Sequence, residues 1–169
     1  MREAIGRVRR RDASPKKVMK RVLLVDDHES FAEATAEFLQ GEGMEVRIAS
    51  SGSDALEVVT RFQPDIVLCD LQLPDISGFE VARALRATPA GKHFLLVIHT
   101  AMSEHELRVL ARNSDAPVHE FVAKPLTRER LADLVSKVEF LQRSTKRVQS
   151  REKRNSAALK LRRPRKPRP

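Results

Sequence analysis

The sequence predicts an α/β fold: a five-stranded, parallel, doubly wound sheet with helices on both faces, flanked by basic arms. Three observations carry this. Strand-like and helix-like hydrophobic patterns alternate five times between Val22 and Phe140. Three of the strand-like segments are continuous apolar runs, as strands covered on both faces must be. The charge is segregated along the chain. Residues 1–21 hold nine Lys/Arg against two acids (+7), residues 22–140 eleven against twenty (−9), and residues 141–169 twelve against one (+11). An acidic domain between two basic arms follows, with expected divisions at 1–18, 19–140 and 141–169.

In chain order, Val22–Val25 ("VLLV") is a short buried strand that runs straight into Asp26 and Asp27. Phe31, Ala34, Phe38 and Leu39 recur at helical spacing until Gly41 and Gly43. Val46 and Ile48 alternate with polar residues, which predicts an edge or half-exposed strand. Ser53 reads as the N-cap of a helix carrying Ala55, Leu56, Val59 and Phe62, stopped by Pro64. "DIVLCD" is a second buried strand ending in Asp70. Gly78–Leu85 is a short helix that ends before Pro89. "FLLVIHTA" is the most apolar strand, and Ser103 caps a helix through about Arg112. "HEFVAKP" is the fifth strand, and Thr127 caps a last helix reaching Phe140 or beyond. Leu134, Val138, Leu141 and Val148 extend that helix by a turn or two, too short a heptad pattern to predict a coiled coil.

Composition removes several classes. Aromatic residues make up 4% of the chain, with no Trp or Tyr, so the core must be aliphatic. The single cysteine, Cys69, can form neither an internal disulfide nor a zinc site, which points to a reducing, cytoplasmic setting. In a buried strand it reads as a small apolar filler. No apolar run approaches the ~18 residues that cross a bilayer. The Arg-rich N-terminus lacks the apolar centre of a secretory signal. The five histidines show no metal-ligand spacing, and His28 is at best a rim residue.

The chemistry gathers at the strand ends. A parallel sheet puts its carboxyl ends on one rim, where ligands of doubly wound folds sit. Here those ends are Asp26 and Asp27, Asp70, Thr100 and Lys124. Three clustered carboxylates call for a cation, and Mg²⁺ takes one or two carboxylates while leaving room for phosphate oxygen. A carboxylate can also attack phosphorus to form an aspartyl phosphate, with the hydroxyl and ammonium holding the other oxygens.

"VLLVDDHES", "DIVLCDLQLPDISGFE", "HTAMS" and "FVAKP" together resemble the motif set of the response-regulator receiver domain, over residues 20–140. The resemblance implies the CheY-like, flavodoxin-like fold of two-component signalling. It implies Asp26 and Asp27 as Mg²⁺ ligands, Asp70 as both ligand and phosphoacceptor, and the main-chain carbonyl of Gln72 as a further ligand. Thr100 would be the switch hydroxyl, Lys124 the phosphoryl-contacting base and Phe121 the aromatic switch. Pro74 and Gly78 match the turn after the acceptor strand.

The implied function is a single-domain response regulator and not a turnover enzyme. It would accept a phosphoryl group from a histidine kinase or phosphotransfer protein. It would then signal to a protein target through the face of the fourth helix, fifth strand and fifth helix. Three positions depart from the usual pattern. "NSDAPVHEF" lacks the small, Gly-containing entry to strand five, Phe121 has no hydroxyl, and Met102 cannot orient an attacking water. The last predicts a long-lived phosphoryl group.

An aspartyl phosphohydrolase fits poorly, because such enzymes want an acid two residues after the first, where His28 stands. A third reading is a nucleic-acid-associated protein whose basic arms bind phosphate backbones under the receiver's control. The C-terminal arm ends in the Pro-rich "LRRPRKPRP", and is expected to be partly helical and then disordered.

Overall fold

The computed structural model describes residues 19–161. The extension expected over 1–18 and the end of the C-terminal arm, 162–169, lie outside the described residues. Five strands form the sheet: β1 (Arg21–Val25), β2 (Glu45–Ala49), β3 (Ile66–Cys69), β4 (Leu95–Thr100) and β5 (Glu120–Ala123). They alternate with α1 (Glu29–Gly41), α2 (Gly52–Phe62), α3 (Gly78–Ala87), α4 (Glu104–Asn113) and α5 (Arg128–Leu161). A 3₁₀ turn, Pro89–Lys92, follows α3.

All pairings are parallel, in the order β2-β1-β3-β4-β5. The chain leaves β1 for β2 on one side and returns to β3 on the other. The carboxyl ends of β1 and β3 therefore flank the switch point where such sheets bind ligands.

The alternation of side chains splits the core into two layers. Val22, Leu24, Ile66, Leu68, Leu95 and Val97 pack with α1 and α5 residues such as Leu39, Leu134 and Val138. Leu23, Val25, Val67, Cys69, Leu96 and Ile98 pack with Ala55, Val59, Val81 and Leu85 of α2 and α3. Each buried Leu, Ile or Val side chain contributes about 1.5–3 kcal/mol, so β1, β3 and β4 are held firmly at the centre. β2 is the half-exposed edge that its alternation predicted, with Ile48 41% exposed. Within α4 only Leu107 is buried, and Val109 is 48% exposed, so this helix is the most lightly held of the five.

Three local readings need correction. Ser51, not Ser53, caps α2: its hydroxyl accepts from the backbone N–H of Asp54 at 3.1 Å. Ser53 already lies inside the helix and is held from outside by Asp75. The buried stripe of α1 is Ala32, Thr35, Ala36 and Leu39, and Ala34 is exposed. Lastly, α5 outruns the expected turn or two and continues to Leu161. No Gly or Pro occurs between Pro125 and Pro164, and the Gln, Arg, Lys and Glu in between are good helix formers.

Candidate functional site

Three loops and one strand end build the site. β1 delivers Asp26 and Asp27 at its carboxyl end, and β3 delivers Asp70 beside them through the Val25–Cys69 pairing. β5 brings Lys124, whose backbone N–H donates to the carbonyl of Thr100 at 2.8 Å. The Lys124–Pro125 peptide is cis.

Lys124 is the centre of the arrangement. Its ammonium donates to Asp26 Oδ2 at 2.5 Å and to Asp70 Oδ2 at 2.6 Å. All three side chains are at least nine-tenths buried. Burial removes competing water, so these charge-assisted bonds are strong, and removal of any one member leaves an uncompensated charge. The ammonium also lies 4.7 Å from the centroid of the Phe31 ring, which closes the site on the α1 side.

The second oxygen of each buried carboxylate meets backbone N–H groups. Asp70 Oδ1 accepts from Leu71 at 2.6 Å and more distantly from Gln72 at 3.4 Å. Asp26 Oδ1 accepts from His28, the N-cap of α1, at 3.1 Å. Asp27 remains exposed, and its Oδ1 lies 3.2 Å from His28 Nδ1. One ligand atom from each of Asp26, Asp27, His28 and Asp70 lies within 4.8 Å of every other. Three carboxylates against one ammonium leave an excess of negative charge in a small volume of oxygen donors. That donor set suits a hard divalent ion such as Mg²⁺.

The loop after β3 is positioned by two devices. Gly78 N–H donates to the Leu71 carbonyl at 2.8 Å, and a Cβ on Gly78 would fall 2.1 Å from the Asp70 carbonyl oxygen. Only glycine permits that approach. Asp75 reaches across to the start of α2 and accepts from the N–H groups of Gly52 and Ser53, each at 2.9 Å. Those bonds hold the Asp75 carboxyl well below the usual carboxylate range.

The remaining expected residues sit near this centre with different degrees of contact. Thr100 is buried at 4% exposure on the same rim, at the end of β4. Phe121 is half-buried in β5 and meets Phe79 edge-on at 6.3 Å. Gln72 is exposed in the loop directly after Asp70. Met102 is half-buried beyond Thr100. Cys69 is fully buried, and burial, then the adjacent Asp70 charge, pushes its thiol up and away from reactivity.

Sequence reasoning missed three contributors. Phe31 reads as core from its helical spacing, yet its ring borders Lys124. Asp75 lies 23 positions from Gly52, and no local pattern announces the bond. His99 is completely buried in β4, with neither ring nitrogen partnered among the described residues. Burial and the nearby Lys124 depress its pKa to about 4, so the ring is neutral.

The response regulator receiver domain family matches residues 22–136. The DNA-binding response regulator MtrA of Mycolicibacterium smegmatis is 39% identical over 105 residues, which cover 62% of this chain and 44% of that protein. Response regulator MprA of Mycobacterium leprae is 33% identical over 126 residues, 75% of this chain and 52% of that protein. The chain thus spans about half the length of the curated relatives it matches. A CheY-like receiver domain protein from Methanospirillum hungatei superposes with a TM-score of 0.62 at 26% identity, covering 75% of this chain and 98% of that one. The response regulator TrrA of Thermotoga maritima, solved with Mg²⁺ and BeF, gives 0.57 at 33% identity, covering 71% and 99%.

Proposed function

The chain belongs to the response-regulator receiver family, and on that premise we propose that it is a phosphoacceptor signalling protein that takes a phosphoryl group on Asp70. Residues 19–140 form the receiver in this reading, and 141–169 are its basic C-terminal tail. The donor is the phosphohistidine of a histidine kinase or phosphotransfer protein. Its P–N bond breaks as a carboxylate oxygen of Asp70 bonds to phosphorus, and the imidazole leaves.

The observation that supports this most directly is the bridge of Lys124 between Asp26 and Asp70, at 2.5 and 2.6 Å. These residues come from three strand ends and converge on one buried point. Asp26, Asp27, Asp70 and the Gln72 carbonyl would hold Mg²⁺, which when bound neutralises charge on the phosphoryl oxygens. Lys124 exchanges its contact with Asp70 for one with a phosphoryl oxygen. The Leu71 N–H, already aimed at Asp70, offers a second donor.

The new group adds roughly −1.5 to −2 charge, by analogy with other phosphorylated side chains. Thr100 turns toward it, and Phe121 occupies the space released. The lightly held α4, with β5 and α5, presents a changed surface to a downstream protein. The protein is not a turnover enzyme in this reading, and loss of the phosphoryl group is slow. Among the described residues no helix is long and apolar enough to cross a membrane, and a cytoplasmic setting suits a kinase-fed receiver.

Incubation with a small-molecule phosphodonor and Mg²⁺, followed by intact-mass and peptide mass spectrometry, tests the reading. The expected result is one phosphoryl adduct at Asp70, absent in Asp70→Asn and without Mg²⁺. An adduct on another residue, or none at all, overturns it.

A further inference from the structure

Beyond Leu141, which packs against the core, α5 continues as an unbroken helix to Leu161. Residues 143–154 carry six basic side chains and one acid, Glu152. At about 100° per residue, the six (Arg143, Lys146, Arg147, Arg151, Lys153 and Arg154) fall on an arc of about 160°. Glu152 occupies the opposite side of the helix axis. That opposite side continues from Leu134, Val138 and Leu141, which pack on the sheet. Arg143, Arg147 and Arg154, which occupy the middle of that arc of positions, are exposed.

The direction of the helix is fixed where it departs. Gln142 accepts from Lys20 at 2.8 Å and donates to Asp65 at 2.7 Å, and Asp65 in turn accepts from the Arg21 backbone N–H at 2.8 Å. The extension is thus tied to the beginnings of β1 and β3.

We propose that this face of α5, between Arg143 and Arg154, is a docking surface for duplex nucleic acid, gripped through its phosphates without base recognition. The twelve residues rise about 18 Å and carry a net charge of +5 from six cations and one acid. A duplex presents one negative charge per ~1.7 Å of its axis, so the partner supplies more than enough phosphates along that length. A helix about 10–12 Å across matches the ~12 Å major groove. The chain has no Phe, Tyr or Trp after Phe140, and the arc has no apolar flank, so the stretch lacks what seats a helix in a membrane surface. The proposal rests on charge and helix geometry and is independent of the chemistry at Asp70.

The test is fluorescence anisotropy of a random-sequence duplex with the full chain across a salt series. Binding should weaken linearly in log–log form as salt rises. Changing the six cations to Gln should flatten the slope by about 0.9 per cation engaged, at least threefold that value in all. A variant with Lys at Arg143, Arg147, Arg151 and Arg154 should keep the wild-type slope. On the unmodified protein, duplex should shield Lys146 and Lys153 from amine acetylation. Salt-independent or absent duplex binding overturns the proposal. So does a Gln variant with the wild-type slope, unshielded lysines, or capture by phosphatidylserine vesicles but not by duplex.

Discussion

The His99 ring stands 6.3 Å from the Phe31 ring, tilted by 45°, and no nitrogen of that imidazole has a partner among the described residues. The site therefore rests on a buried polar group that the fold holds neutral. A histidine whose folded pKa lies below its unfolded value stabilises fully above the unfolded value and loses that contribution as pH falls. For His99 the window runs from about 6.5 down to about 4. Chemical denaturation should reveal an acid-side loss on the order of 3 kcal/mol. His99→Leu should remove that leg of the profile and raise stability at pH 7 by about 1–3 kcal/mol, because an unsatisfied donor is replaced by an apolar group. An unchanged pH profile in the variant would assign the loss to other groups.

Lys124 makes the opposite prediction. Lys124→Met leaves Asp26 and Asp70 facing each other, buried and uncompensated. In chelator the variant should be less stable by about 3–5 kcal/mol. Millimolar Mg²⁺ should raise its melting temperature more than that of the wild type, because the cation replaces the lost positive charge. Melts that Mg²⁺ leaves unmoved in both proteins would remove the metal assignment.

Gly78→Ala tests the close approach behind Asp70. The added methyl would lie 2.1 Å from the Asp70 carbonyl oxygen, a contact with backbone that no side-chain rotation relieves. A penalty of about 1–3 kcal/mol is expected, together with slower labelling of Asp70 by a phosphodonor. Wild-type stability and labelling would show that the loop moves freely.

The phosphoryl group on Asp70 should outlast minutes in Mg²⁺-containing buffer, since the half-buried Met102 offers no polar atom to align water. Met102→Asn should shorten the lifetime. Phosphate release within minutes from the wild type would contradict the assignment of Met102.

Much of this was legible in the chain. Continuous apolar runs marked β1, β3 and β4, and their final residues marked the rim, because a parallel sheet needs no further information to gather its carboxyl ends. Cap positions were harder. Ser51 and Ser53 offer the same hydroxyl, and the choice was decided by Asp75, 22 residues from Ser53. The phase of α1 slipped because Ala34 is as apolar as Ala32 and Ala36. The neutral burial of His99 carries no sequence signal, since alternation in a strand covered on both faces does not distinguish a polar residue that faces the core. The reach of α5 beyond a turn or two was not read from the chain: the run without Gly or Pro permits it, but the stretch lacks the apolar periodicity that usually announces a helix.

The knot of Lys20, Asp65 and Gln142 lies at the end of the sheet opposite Asp70. The start of β1 and the outgoing stretch of α5 are thereby joined at one pole, and the carboxylates of Asp26, Asp27 and Asp70 occupy the other. The exposed Arg143, Arg147 and Arg154 thus lie towards one pole and Asp26, Asp27 and Asp70 at the other, and a polyanion exerts a torque on charges so separated before any contact forms. A duplex gripped at the cationic pole would leave the pocket of Asp26, Asp70 and Lys124 on the far side of the molecule.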